Sequence, residues 1–300
     1  MRKIVFYTES KWAFGSIHYS LSKRLFQYGF DCEVLDFFQP HTAEHLASIA
    51  ANTCYFVTTP VGAHWLMNMH IDPQQIKAVA HAQWDLLLTN HHAGVGFYDQ
   101  LNDFAVVSPI LKQKSAEFGI TKVPKVIPIG IDFHKFYTKS ADKLRNVGYA
   151  GAYSSNNFYG VEIKRGKLVT EATEKAGLPL LMPANQMHYT GMPCFYRRVG
   201  CVVSSSLEEG AGLPMLEAGA AGRLCLGTPV GYFEENSKDG RGGVALSLEP
   251  DKFVDDLSKA LRYFSEDNDR YRKQCQRTQE YARCYDWQNY IEQWVEFLNL

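Results

Sequence analysis

Two α/β domains of Rossmann type are the fold class this sequence predicts, and three observations predict it. Short apolar runs alternate with segments of helical periodicity through the amino-terminal half, the pattern of βαβ units feeding a parallel sheet. The pattern loosens and charge rises between about Ile131 and Arg145, after which the alternation restarts. Three helical segments, Asp251–Phe264, Asn268–Arg283 and Asp286–Leu298, then close the chain. A length of 300 residues is enough for two sizeable cores.

In the first half, Lys3–Thr8 reads as a strand, followed by the loop Glu9–Ser16. Ile17–Tyr28 carries Ile17, Leu21, Leu25 and Phe26 at helical spacing and stops at Gly29. Cys32–Phe37, Thr53–Val57, Ile76–Ala80, Asp103–Val107 and Lys125–Ile129 are the further strands, with helices at Ala43–Ala50 and Ile110–Phe118. Pro60–His70 and Gln83–Phe97 read as loops. In the second half the strands are Asn146–Ala150, Leu178–Met182, Cys201–Val203 and Arg223–Leu226. A long loop, Gly151–Tyr159, precedes a helix near Lys164–Lys175, Phe195–Val199 forms a helical turn, and Gly227–Gly243 is rich in turns. Ligands of such sheets bind at the carboxyl ends of the strands, so two such edges facing each other across a cleft are the expected setting for a site.

Composition narrows the possibilities. Apolar residues make up 46% of the chain, charged residues 21%, and the formal charge is −1, the profile of an ordinary soluble globular protein with no strong nucleic-acid signal. Seven scattered cysteines without a C-x-x-C pair fit free thiols and no zinc site, and hence a cytoplasmic protein. No apolar stretch approaches the ~18 residues of a membrane span, which leaves at most peripheral membrane contact. No metal and no cofactor are expected.

The chemistry concentrates in Ser204–Gly222. It follows the apolar run Cys201-Val202-Val203, passes through a glycine-bearing loop and enters a helix at Pro214, a residue favoured in a first helical turn. Gly212 and Leu213 have no side-chain oxygen to cap that helix, so its first amides call for an anion. Glu209 and Glu217 bracket the loop. Taken singly each reads as a solvated surface residue, but around a G-x-G-L-P loop after a strand they read as a site.

These residues resemble the retaining nucleotide-sugar glycosyltransferases of the two-domain GT-B fold, glycosyltransferase family 4 in particular. Glu209-Gly210-Ala211-Gly212-Leu213-Pro214 with Glu217-Ala218 is similar to that family's E-G-F-G-L-P…E-A signature, with Ala211 where an aromatic is usual. Val126-Ile127-Pro128-Ile129-Gly130-Ile131-Asp132 with Phe136 resembles its interdomain V-I-P-N-G-V-D…F, with Ile129 in place of Asn. Val106-Val107-Ser108, and the closing Tyr285-Asp286-Trp287 with Trp294, also fit. The resemblance implies an acceptor-side domain over residues 1–135 and a donor domain over 146–285, with a last helix, 286–300, crossing back to the first. It implies a UDP- or GDP-linked sugar donor and an acceptor that is a glycan, a lipid carrier or a small molecule.

Roles follow from the same resemblance. Glu217 would hydrogen-bond the ribose, and Glu209 would sit by the donor sugar. Gly210, Ala211, Gly212 and Leu213 would meet the diphosphate, and His81, ending a strand, would contact the sugar and reaction centre. Two departures stand out. Gly15-Ser16 replaces the usual glycine pair after the first strand, with Gly15 left to approach the donor. Gly151-Ala152 lacks the usual Arg, so the diphosphate cation falls to Lys164, Arg165 or Lys167, with most weight on Arg165. Trp12, Phe14, Trp65 and Trp84 are candidate sugar-stacking faces, and Tyr153–Tyr159 a candidate border of the donor base. His91-His92 has no supporting metal ligands. A sugar-nucleotide epimerase and a non-catalytic nucleotide- or glycan-binding GT-B protein are the alternatives; an NAD dehydrogenase is disfavoured because no G-x-G-x-x-G follows the first strand.

Overall fold

A computed structural model describes residues 1–10, 13–183 and 187–299. The chain divides into two compact units, Met1–Gly130 with Gln288–Leu300, and Ile131–Trp287. The first unit runs β1 (Arg2–Thr8), α1 (Ala13–Leu25), β2 (Phe30–Asp36), α2 (Ala43–Ala50), β3 (Tyr55–Thr58), α3 (Pro60–Asn68), β4 (Ile76–Ala80), α4 (Gln83–Ala93), α5 (Phe97–Gln100), β5 (Asp103–Val106), α6 (Pro109–Glu117) and β6 (Lys125–Val126). Its strands are all parallel, in the order β2-β1-β3-β4-β5-β6. The order reverses at β1, so the switch point lies between β1 and β3, with the loops after both at the carboxyl edge.

The second unit runs α7 (Phe133–Phe136), β7 (Val147–Gly148), α8 (Gly166–Ala176), β8 (Leu180–Leu181), α9 (Met192–Arg198), β9 (Cys201–Ser204), α10 (Leu213–Ala220), β10 (Leu224–Gly227), α11 (Tyr232–Asn236), β11 (Val244–Ala245), α12 (Pro250–Ser265) and α13 (Asn268–Ala282). Its sheet is also parallel, in the order β11-β10-β9-β7-β8. Here the switch point falls between β7 and β9, the strands that lead to Lys164 and to Glu209. Val147, Cys201, Val203, Leu224 and Leu226 fill the core under Phe253, Leu257 and Leu261 of α12.

The chain then returns to the first unit as α14 (Ile291–Asn299). Trp294 and Phe297 of α14 are buried, and Trp294 Nε1 donates to Pro128 O at 2.9 Å. Lys77, fully buried in β4, donates from Nζ to Phe297 O at 2.7 Å and lies 4.4 Å from the Tyr55 ring centroid. An ammonium at helical carbonyls complements the negative end of α14.

Three segments differ from the sequence expectation. Pro60–His70 and Gln83–Phe97, expected as loops, are largely the helices α3 and α4. Thr59 caps α3 by accepting from the Gly62 amide at 3.2 Å, and Pro60 opens its first turn. The buried face of α4 carries Asp85 and Thr89 beside Leu86, which hides the apolar period that would reveal a helix. Gly227–Gly243, expected to be rich in turns, also contains the helix α11. Among the described residues, no helix is long and apolar enough to cross a membrane.

Candidate functional site

The second unit builds its site from the loops after β7 and β9. Lys164 and Arg165, adjacent in sequence, diverge there. Arg165 is 7% exposed and adopts the left-handed conformation (φ 48°) where α8 begins. Its Nε donates to Ser205 O at 2.8 Å and one terminal nitrogen to Leu248 O at 2.7 Å. A non-glycine residue at positive φ is strained, and these two bonds hold it there. The guanidinium on which the sequence put most weight is thus turned inward, onto the backbone of its own unit. Lys167 is exposed on α8.

Lys164 points the other way. Its Nζ is paired with Glu209 Oε1, which also accepts from Ser206 Oγ at 2.7 Å, and both charged side chains stay about one-fifth exposed. The two loops are stitched beneath this pair. Lys164 O accepts from Tyr149 Oη and from Ser205 Oγ, each at 2.6 Å, and Leu207 N donates to Ile163 O at 2.8 Å. Asn157, in the hairpin closed by the Asn156–Glu162 bridge, donates to Glu208 Oε1 at 2.8 Å. The Tyr153–Tyr159 stretch is thereby tied to the loop that carries Glu209.

Gly212 opens α10 in the left-handed conformation (φ 76°) without a side-chain cap. Among the described residues, nothing accepts from the amides of Gly210, Ala211, Gly212 and Leu213. Four unpaired N–H groups at a helix start, in the loop whose Glu209 pairs with Lys164, present a directed field suited to an anion. Residues that sequence reasoning missed shape the loop. Thr228 Oγ1 donates to Ser206 O at 2.5 Å, and Tyr232 N to Ala211 O at 3.0 Å. A Cβ on Gly231 would sit 3.0 Å from the Ala211 carbonyl and from Glu209 Cβ, so only glycine lets this segment pass so close. No local signal announces a contact made across 20 residues of chain.

Glu217 is 4% exposed, inside α10, and its Oε2 accepts from Tyr196 Oη at 2.8 Å. Burial pushes its carboxyl up to about 7, against the pull of the Tyr196 hydrogen bond and of Lys135. Near neutral pH it is therefore poised between a carboxylate and a carboxylic acid.

The first unit contributes at the carboxyl ends of β1 and β4. His81 follows β4 and is 5% exposed, and neither ring nitrogen has a partner among the described residues. Its ring meets Phe14 at 4.9 Å and the edge of His18 at 5.6 Å. Burial pulls the His81 imidazole down to about 3 and keeps His18 well below its ordinary value, so both are neutral. A neutral imidazole offers one donor and one acceptor, which matches a hydroxyl group. Asp85 fixes the turn by accepting from His81 N at 3.2 Å.

Gly15 is engaged within its own unit. Its amide, at 3.1 Å, and that of Phe14, at 2.8 Å, already donate to Glu9 Oε1. A side chain at Gly15 would run into the Glu9 and Ser10 backbone. The chain's own carboxylate holds the start of α1, and Gly15 is needed for that close packing. Trp12 lies outside the described residues. Trp65 and Trp84 are 37% and 39% exposed, and Phe14 is half-buried against His81. No group of three or more His, Cys, Asp or Glu able to hold a metal occurs among the described residues.

Comparison with known proteins supports the fold independently. Residues 172–267 match the family model described as "Glycosyl transferases group 1", a span that includes Glu209–Glu217 but not Lys164 or Arg165. No curated protein matches the chain. Among solved structures, a sucrose-phosphate synthase from Thermosynechococcus elongatus is similar with a TM-score of 0.73 at 12% identity, over 100% of this chain and 98% of that one. HepE from Anabaena, in complex with UDP-glucose, gives a TM-score of 0.71 at 15% identity over 100% of both chains. TarM from S. aureus, in a complex that contains UDP, gives 0.62 at 12% identity over 82% of this chain and 55% of that one. The chain therefore has the two-domain GT-B glycosyltransferase fold throughout and resembles the group 1 glycosyltransferases in sequence across the heart of its second unit.

Proposed function

We propose that this protein is a cytoplasmic glycosyltransferase that moves a sugar from a UDP-linked donor, or a GDP-linked one, to an acceptor hydroxyl with retention of configuration. The observation that carries the proposal is the unpaired amide cluster Gly210–Leu213 next to Lys164 and Glu209. Supporting it are the match to the group 1 model over this loop and the UDP and UDP-glucose complexes of HepE.

The roles follow from the geometry and the resemblance together. The amides of Gly210–Leu213 and the Lys164 ammonium stabilise the diphosphate as negative charge builds on it. Lys164 exchanges its Glu209 partner for the diphosphate, which leaves Glu209 to accept from a sugar hydroxyl. Glu217, held by Tyr196, accepts from the ribose hydroxyls. In the transfer the bond from the anomeric carbon to the phosphate oxygen breaks and its electron pair leaves with the diphosphate. The acceptor oxygen bonds to the anomeric carbon, and its proton passes to a phosphate oxygen. His81, neutral and with no partner for its ring nitrogens among the described residues, hydrogen-bonds a sugar hydroxyl.

Calorimetry with a panel of nucleoside diphosphates tests the donor assignment. One diphosphate is expected to bind, and Lys164→Ala and Glu217→Ala each to weaken it about tenfold or more, on the order of 1.4 kcal/mol. Wild-type affinity in both variants would sink the assignment. Product analysis with donor alone separates a transferase from an epimerase, and the anomeric configuration read by NMR settles retention.

A further inference from the structure

The first unit carries an aromatic platform at the switch-point end of its sheet. Phe37 and Phe38 follow β2, where Asp36 shapes the turn: its Oδ1 accepts from Phe38 N at 2.9 Å and its carbonyl from Gln39 N at 3.1 Å. Phe37 N donates to Thr8 O at 3.0 Å, which sets the pair beside the end of β1. Trp65 comes from α3, directly after β3. The rings meet edge to face: Phe37 on Trp65 at 5.0 Å, on Phe38 at 4.8 Å and on Tyr7 at 5.7 Å. Gly62 lets α3 pack closely on β3 behind this cluster, since a Cβ there would strike the Thr58 hydroxyl, whereas the Phe37 ring would be at ordinary contact distance, 3.6 Å. Phe37 is the half-buried hub of this arrangement, whereas Phe38 is 62% and Trp65 37% exposed.

Charge says what such a surface takes. Residues 33–76, which build all of it except Tyr7, contain no lysine or arginine, but do contain Glu33, Asp36, Glu44 and Asp72. An anionic membrane or a polyphosphorylated lipid carrier needs cations to hold it, and this segment supplies none. A pyranose ring presents an apolar face of C–H groups rimmed by hydroxyls, which suits exposed aromatic faces set among carboxylates and imidazoles.

We propose that Phe38 and Trp65 form a subsite for an uncharged sugar unit, and hence that the acceptor is a neutral glycan. The proposal rests on the glycosyltransferase reading and gives its acceptor a chemical class.

The test is saturation-transfer NMR of the full chain with malto-, cello- and chitotetraose, alongside calorimetry with UDP and co-sedimentation with vesicles of phosphatidylglycerol and phosphatidylcholine. At least one oligosaccharide is expected to bind, with affinity reduced about tenfold or more in Phe38→Ala and in Trp65→Ala, about 1.4 kcal/mol. Phe38→Leu and Trp65→Leu, which retain bulk without a ring, give the same loss in proteins that melt as the wild type does. Oligosaccharide binding unchanged in all four variants overturns the proposal. So does an absence of binding by all three sugars, or capture by the anionic vesicles instead. UDP binding reports on the second unit separately, so its failure counts against the transferase reading and not against the platform.

Discussion

Lys164 and Arg165 show how much one peptide bond can separate. Both read in the sequence as candidate cations for the diphosphate, but their directions were not legible, because a left-handed residue at a helix start turns one side chain inward and leaves its neighbour outside. Removing Arg165 leaves the Ser205 and Leu248 carbonyls without donors. Arg165→Ala is therefore expected to cost on the order of 2–4 kcal/mol in denaturant unfolding. Lys164→Ala, losing a partly exposed pair, shifts stability by less than about 1 kcal/mol and shows its effect in nucleotide affinity. The reverse pattern would mean the two roles are exchanged. The Glu209–Glu217 loop was legible because strand, glycine and helix start are consecutive; the burial of Glu217 under Tyr196 was not, since Tyr196 comes from another helix. That burial has a measurable consequence. The Glu217 carboxyl titrates near 7 when folded and near 4.5 when unfolded, so the folded state binds the proton more tightly. Its stabilising contribution is full below pH 4.5 and is lost as pH rises through 7. Glu217→Gln keeps an oxygen for Tyr196 and carries no charge. The stability of this variant relative to wild type should therefore rise by about 1–3 kcal/mol between pH 4.5 and 7.5. A constant difference across that range would show that Glu217 is not buried in this way.

At the level of elements, regularity in the sequence decided what could be read. Ala43–Ala50 and Ile76–Ala80 coincide with α2 and β4, since each presents an unbroken pattern ended by a clear change. The short strands β7 and β8 were expected to be longer because apolar residues outlast the sheet pairing that defines them. Helices α3 and α4 escaped because histidine, tryptophan, threonine and aspartate on them obscure the apolar stripe. Their placement depends on tertiary fit, which Gly62 exemplifies. Any Cβ there strikes Thr58 Oγ1, behind the turn that presents Trp65. Gly62→Ala is expected to lower stability by about 1–3 kcal/mol. Adding Thr58→Ala, which removes the hydroxyl in the way, should recover most of the loss. If the double variant melts no higher than the single one, the close approach of α3 to β3 is not what requires the glycine.

For the whole molecule, the two-sheet class was legible because alternation stops and restarts around Ile131–Arg145. The return of the last helix to the first unit was implied by resemblance alone, as periodicity cannot say where a helix docks. Lys77 supplies a physical reason for that docking, and one that composition hides: a lysine inside a strand whose five residues are all buried. Its partner, Phe297 O, lies 220 positions away. Burial pulls the Lys77 ammonium down to about 8 from 10.5, with Lys125 adding to the shift and Asp103 opposing it. Below pH 8 both folded and unfolded chains carry this charge, and folding bears the cost of burying it. Between pH 8 and 10.5 the folded protein has released the proton while the unfolded chain still holds it, so stability rises with pH. Lys77→Met removes the charge and also leaves the Phe297 carbonyl without its donor, an offset independent of pH. Measured against this variant, the wild type should therefore gain on the order of 1–3 kcal/mol from pH 8 to 10.5. A difference that stays flat over that range would mean that the lysine reaches water, and that α14 is held by the packing of Trp294 and Phe297 alone.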